Sequence, residues 1–138
     1  MKMRVLFATG KGKMKNVAQF ITDNYATEKV NCMDSIPPAY ACDKERLVVM
    51  VVSTGKDPAT PVIRFCKELT KLRTANVAFI LDGSEEGLKI LMDAVKEAGS
   101  HVIDKVLPVK CGLFGSKLSD EEKKTVTDWM NEVTAAMV

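Results

Sequence analysis

Residues 8–18 read ATGKGKMKNVA and follow the apolar run MRVLF at positions 3–7. An apolar run leaving through two glycines and three lysines into a segment with Val17 and Ala18 reads as strand, turn, helix. A glycine-bearing turn that feeds a helix N-terminus suits an anion, because free backbone N–H groups and the helix dipole both favour negative charge there. The turn therefore offers Thr9, Gly10, Lys11, Gly12, Lys13 and Met14 as a phosphate-holding segment.

The rest of the chain repeats this grammar. LVVMVVS from Leu47 to Ser53 is a near-continuous apolar run of the kind buried on both faces, and it belongs at the centre of a sheet. NVAFILDG from Asn76 is a further strand, HVIDKVLPV from His101 another, and EKVNCM from Glu28 a weaker one. Between them, Met14, Val17, Ala18, Ile21 and Tyr25 follow the spacing of one helical face. So do Val62, Phe65, Cys66 and Leu69, and again Leu88, Leu91, Met92 and Val95. Thr60 before Pro61 is a helix start signal. Ser119 and Glu122 form a capping-box pattern ahead of Val126, Trp129, Met130, Val133 and Met137, which makes Trp129 a core residue.

Strands alternating with helices predict an α/β fold in which a mainly parallel sheet is covered on both faces. In the segment from Asp34 to Glu45, Pro37 and Pro38 forbid a long helix, so that crossover is expected to be a loop. Five strands in one doubly wound sheet suggest the order 2-1-3-4-5, with ligands at the carboxyl ends of the strands beside the switch point. Three polar, glycine-bearing loops should then converge: TGKGKMK, STGKDPATP and DGSEEG. The second supplies Ser53, Thr54 and Gly55 as candidates, and the third supplies Asp82, Gly83 and Ser84.

Composition bounds the reading. The 138 residues suit one domain spanning 1–138, and 46% hydrophobic with 28% charged residues is the make-up of a globular protein. A net charge of +2 gives no general attraction to nucleic acid. The N-terminal apolar stretch, broken by Gly10 and Lys11, fits neither a signal peptide nor a membrane span, so the chain reads as cytoplasmic. Cys32, Cys42, Cys66 and Cys111 are scattered without a C-x-x-C pair, and His101 is the single histidine, so no metal site is expected. The thiols read as buried or idle. His101, at a strand start far from the three loops, reads as a surface or packing residue.

The opening segment resembles that of flavodoxins, whose first loop runs T-x-T-G-N-T before a helix beginning near V-A. Thr9, Gly12, Val17 and Ala18 match in register, while Lys11, Lys13 and Met14 stand where the family has Thr, Asn and Thr. The resemblance implies FMN as cofactor, its phosphate in the first loop and its isoalloxazine ring flanked by the loops after the third and fourth strands. It implies an electron-transfer flavoprotein that meets a reductase and an acceptor as redox partners, with the chemistry supplied by the flavin. The aromatic residues that stack on the ring in the family are absent from STGKDPATP and DGSEEG, which leaves Phe114 and Tyr40 as aromatic candidates.

The tail CGLFGSKLS is similar to the last segment of flavodoxin-like protoporphyrinogen oxidases through Gly112, Leu113, Ser116, Lys117, Leu118 and Ser119. That likeness implies a flavin-dependent oxidoreductase as an alternative, and a flavodoxin-fold binding module without flavin is a third. No catalytic acid, base or nucleophile is assigned. Because lysines crowd the proposed flavin edge, an acidic partner or a substrate with carboxylates is expected there.

Overall fold

The structure is a computed structural model that describes residues 1–8, 12–26, 41–111 and 117–138. Its elements run β1 (Met3–Ala8), α1 (Gly12–Tyr25), β2 (Glu45–Thr54), α2 (Thr60–Lys67), β3 (Thr74–Gly83), α3 (Glu85–Ala98), β4 (His101–Val102), β5 (Leu107–Pro108) and α4 (Asp120–Ala136). All strand pairs are parallel, in the path β1-β2-β3-β4, with β5 also beside β3. These segments lie in the order expected for the first, third, fourth and fifth strands. The strand expected from Glu28 and the loop expected from Asp34 lie mostly in 27–40, outside the described residues.

The central run behaves as its composition requires, for β2 is buried from Leu47 to Val52. Because side chains alternate along a strand, Val48, Met50 and Val52 join one apolar cluster with Phe65, Cys66, Leu88 and Leu91 of α2 and α3. Leu47, Val49 and Val51 join a second cluster with Val17, Ile21, Trp129 and Met130 of α1 and α4. The sheet thus divides two half-cores, one per face. Trp129 is buried as expected, and its Nε1 donates to the Lys105 carbonyl at 2.8 Å.

One expectation needs correction. His101 to Val109 reads as one strand, yet the structure divides it into β4 and β5. Between the pairs Val77↔Val102 and Ile80↔Leu107, β3 advances three residues while its neighbour advances five. Two extra residues must leave the ladder, which makes a bulge at the sheet edge. Ladder bonds resume around it, from the Ile103 N–H to the Val77 carbonyl and from the Val109 N–H to the Leu81 carbonyl, each at 2.8 Å. The indole bond to Lys105 holds the bulged segment against α4.

At the amino end of β3, fully buried Asn76 satisfies three backbone groups. Its Nδ2 donates to the carbonyls of Arg46 at 3.0 Å and Val138 at 3.1 Å, and its Oδ1 accepts from the Val138 N–H at 2.9 Å. This ties the segment after α4 to the centre of the sheet. Asn76→Ala leaves those groups without their partner, so a loss of about 2–3 kcal/mol is expected. Urea melts should show a lower midpoint with an unchanged slope. An unshifted midpoint would mean that the clamp contributes nothing.

Candidate functional site

The carboxyl ends of β1, β2 and β3 lie side by side, since Ala8 pairs with Val52 while Ser53 and Thr54 pair with Asp82 and Gly83. The ends of the three strands that lead into the candidate segments therefore share one edge. Thr9, Gly10 and Lys11 lie outside the described residues, as do Tyr40, Gly112, Leu113, Phe114 and Ser116. Gly12 opens α1 directly beyond that gap.

The first turn of α1 carries no acidic residue, whereas α3 begins with Glu85 and Glu86 and α4 with Asp120, Glu121 and Glu122. The latter two helices supply negative charge to their own N-termini, which stabilises them. The starts of α1 and of α2 lack that internal compensation, and that of α1 is the one that follows the opening glycine-bearing segment. The first N–H groups of a helix have no carbonyl within the helix to meet them, so Gly12, Lys13 and Met14 carry backbone donors at the start of α1. The Met14 side chain is fully buried in the α1–α4 half-core. Its contribution at this edge is its backbone alone.

Lys13 is positioned differently from the open lysine of a plain basic turn. Its ammonium is ion-paired with the Glu122 carboxylate of α4. Glu122 in turn accepts from the Ser119 backbone N–H at 3.1 Å, while the Ser119 hydroxyl accepts from the Glu122 N–H at 3.1 Å. The hydrogen bond from Lys13, then that from the Ser119 backbone, holds the Glu122 carboxyl below the usual range. Ser119, one of the tail residues, is therefore occupied as the cap of α4. Lys15 is exposed.

The second and third loops are shorter than the sequence suggests. In STGKDPATP, Ser53 and Thr54 finish β2 while Thr60 and Pro61 already belong to α2, whose N-cap is Ala59 rather than Thr60. In DGSEEG the connection from β3 to α3 is Ser84 alone. Ser84 caps α3, its hydroxyl accepting from the Gly87 N–H at 3.4 Å, and its own N–H donates to the Thr54 carbonyl at 2.9 Å. The Ser53 hydroxyl donates to Asp82 Oδ2 at 2.9 Å.

The two loops touch through bare backbone. A Cβ at Gly83 would lie 2.1 Å from the Thr54 carbonyl oxygen, and one at Gly87 would lie 2.0 Å from that of Gly55. Gly87 was missing from the sequence-based site because its role is a close approach between distant segments, which leaves no local pattern. The void over this edge, lined by Ala8, Val52, Ser53, Thr54, Pro58, Ala59, Val62 and Leu91, is about 20 Å³. That is room for about one water. Larger spaces lie to either side. One of about 200 Å³ sits between α1, β5 and α4, and one of about 370 Å³ lies between α3 and the bulged edge.

Cys66 stands apart from this edge, in the half-core under α2 and α3. Burial pushes the Cys66 thiol up to about 12, so it stays protonated near neutral pH, with its Sγ 3.8 Å from Met50 Sδ. Cys42 is buried and Cys111 half-buried, while Cys32 lies outside the described residues. His101 is exposed at the start of β4, at the opposite end of the strands from the three loops.

No family model matches the chain, and no curated protein matches its sequence. Solved structures do match it over nearly its whole length. The oxidised flavodoxin 1 of Bacillus cereus superposes with a TM-score of 0.69 at 18% identity, covering 100% of both chains. A short-chain flavodoxin associated with a non-canonical PDU bacterial microcompartment gives 0.70 at 16% identity, over 98% of each chain. A flavodoxin from the domain Archaea gives 0.69 at 14% identity, over 98% of this chain and 97% of that one. The fold is flavodoxin-like. Within that flavodoxin-like fold the edge just described is the carboxyl edge of the parallel sheet. Among the described residues, no helix is long and apolar enough to cross a membrane.

Proposed function

We propose that this flavodoxin-like chain, acting as one domain over residues 1–138, binds FMN at the carboxyl edge of its sheet and carries electrons between a reductase and an acceptor protein in the cytoplasm. The observation that carries the reading is the start of α1. Its backbone donors have no carbonyl within the helix to meet them and no acid in the first turn, which suits the phosphate group. Thr9, Gly10, Lys11, Gly12, Lys13 and Met14 would hold that end. Ser53, Thr54, Gly55, Asp82, Gly83 and Ser84 would border the ring.

The residues present fit the phosphate better than the ring. Among the described residues, neither ring-side loop carries an aromatic, the two loops are seated against one another, and the void there admits about one water. A flavin would therefore rest on the rim formed by Thr54 and Gly55, anchored through its phosphate. When bound, FMN supplies the electron transfer. The chain binds and orients it, while the Ser53 hydroxyl keeps Asp82 hydrogen-bonded at the sheet edge.

The test is a titration of the purified chain with FMN, followed by flavin fluorescence and calorimetry. Saturable binding is expected, followed by reversible reduction through a flavodoxin reductase. Absence of binding at millimolar FMN would overturn the proposal in favour of a flavin-free module. Salt should slow reduction by an acidic partner, since opposite charges steer the encounter.

A further inference from the structure

Lys13 stands in the first turn of α1 but is turned across to α4, with 17% of its side chain exposed and its ammonium closed on Glu122. Glu122 is gripped from two sides, by Lys13 and by the Ser119 backbone N–H, so the carboxylate has a defined position. The pair lies on the wall of the 200 Å³ space between α1, β5 and α4, whose other polar side chains among the described residues are Lys110 and Thr125. The geometry points to Glu122 as an internal competitor for the anion site: it occupies the ammonium of Lys13 and thereby sets how tightly a phosphate is held at the start of α1. This inference rests on the FMN reading above.

The physical basis is charge cancellation. A phosphate near the α1 N-terminus gains from the Lys13 charge only in so far as the adjacent carboxylate does not offset it. The pair is nevertheless partly exposed, and such pairs are cheap to open. Lys13 can thus exchange between carboxylate and phosphate, and binding carries the cost of that exchange. Both Lys13 and Ser119 favour the ionised form of Glu122, so the competitor is charged near neutral pH. The same side chain that caps α4 then limits affinity at α1.

The experiment is to measure FMN and riboflavin affinities of the wild type, Glu122→Gln, Glu121→Gln and the double variant Lys13→Gln/Glu122→Gln at low salt. Glutamine retains the capping box, and thermal melts check that the fold survives. Glu122→Gln should bind FMN roughly three- to tenfold more tightly. Glu121→Gln removes the same charge without freeing Lys13, and should shift affinity by less than about twofold. The double variant should lose the gain, and riboflavin, lacking phosphate, should not respond. Equal effects of the two single variants, a gain that persists without Lys13, or equal tightening of riboflavin would each overturn the inference while leaving FMN binding intact. A wild type that binds no FMN overturns both readings together.

Discussion

Gly83→Val and Gly87→Ala are each expected to destabilise the fold by about 2–4 kcal/mol, a large share of the stability of a domain this size. Gly83 has a φ of 122°, which side-chain-bearing residues rarely adopt, and its Cβ would meet the Thr54 carbonyl oxygen at 2.1 Å. Gly87 lies in the first turn of α3, where a methyl group would press on the Gly55 carbonyl at 2.0 Å. Relief requires separating the two loops that border the proposed ring site. Gly55→Ala is the control, because nothing lies within 4 Å of the Cβ it would add. Thermal and urea melts of the three variants should therefore separate sharply, with Gly55→Ala within about 0.5 kcal/mol of the parent. Three equal shifts would mean that the close approach is not what holds these loops.

FMN is expected to bind roughly a hundredfold more tightly than riboflavin. Charge-assisted bonds from backbone N–H groups are worth about 1.5–3 kcal/mol each, and a helix N-terminus adds about 0.3–1 kcal/mol for an anion. Even one good bond with the dipole approaches the 2.7 kcal/mol or so that a hundredfold ratio requires. Ring contacts cancel from this ratio because the two flavins share one ring, so the missing stacked aromatic pair, worth about 0.5–1.5 kcal/mol, weakens both alike. Raising salt should weaken FMN severalfold and leave riboflavin unchanged. Equal affinities for the two flavins, or no salt effect on FMN, would place the binding energy in the ring and refute phosphate anchoring.

Most of the fold was legible because periodicity reports burial directly. The Leu47–Val52 run could only be a strand with both faces covered, and the structure buries every residue of it. Ser119 with Glu122 specified the start of α4 through local hydrogen bonds, and both halves of that capping box are present. The edge bulge left only a weak trace, since Asp104 and Lys105 break the alternation between Ile103 and Val106, and it takes the count against β3 to expose two surplus residues. That the ends of β2 and β3 share one edge was legible, and the detail of their contact less so. DGSEEG looks like a loop when Gly83 and Gly87 are taken as flexible turn residues, yet one accommodates a positive φ and the other a neighbouring backbone. Lys13 looks like a free charge until α4, more than a hundred residues later, brings Glu122 beside it. Local pattern carries elements and caps, whereas pairings between distant segments require the assembled sheet.

The division of the interior into two half-cores bears on how such a sequence can drift. Val49 and Met50 are neighbours in the chain but belong to different packing communities, one answering to α1 and α4 and the other to α2 and α3. A change of volume on one side is answered first by residues on that side, because side chains that share no partners respond almost independently. Substitutions beneath α2 and α3 can therefore accumulate and compensate one another while the shelf that carries the start of α1 stays put. A chain built this way can retain its architecture at 14–18% identity to other flavodoxin-like structures, since its two interiors need not be rewritten together.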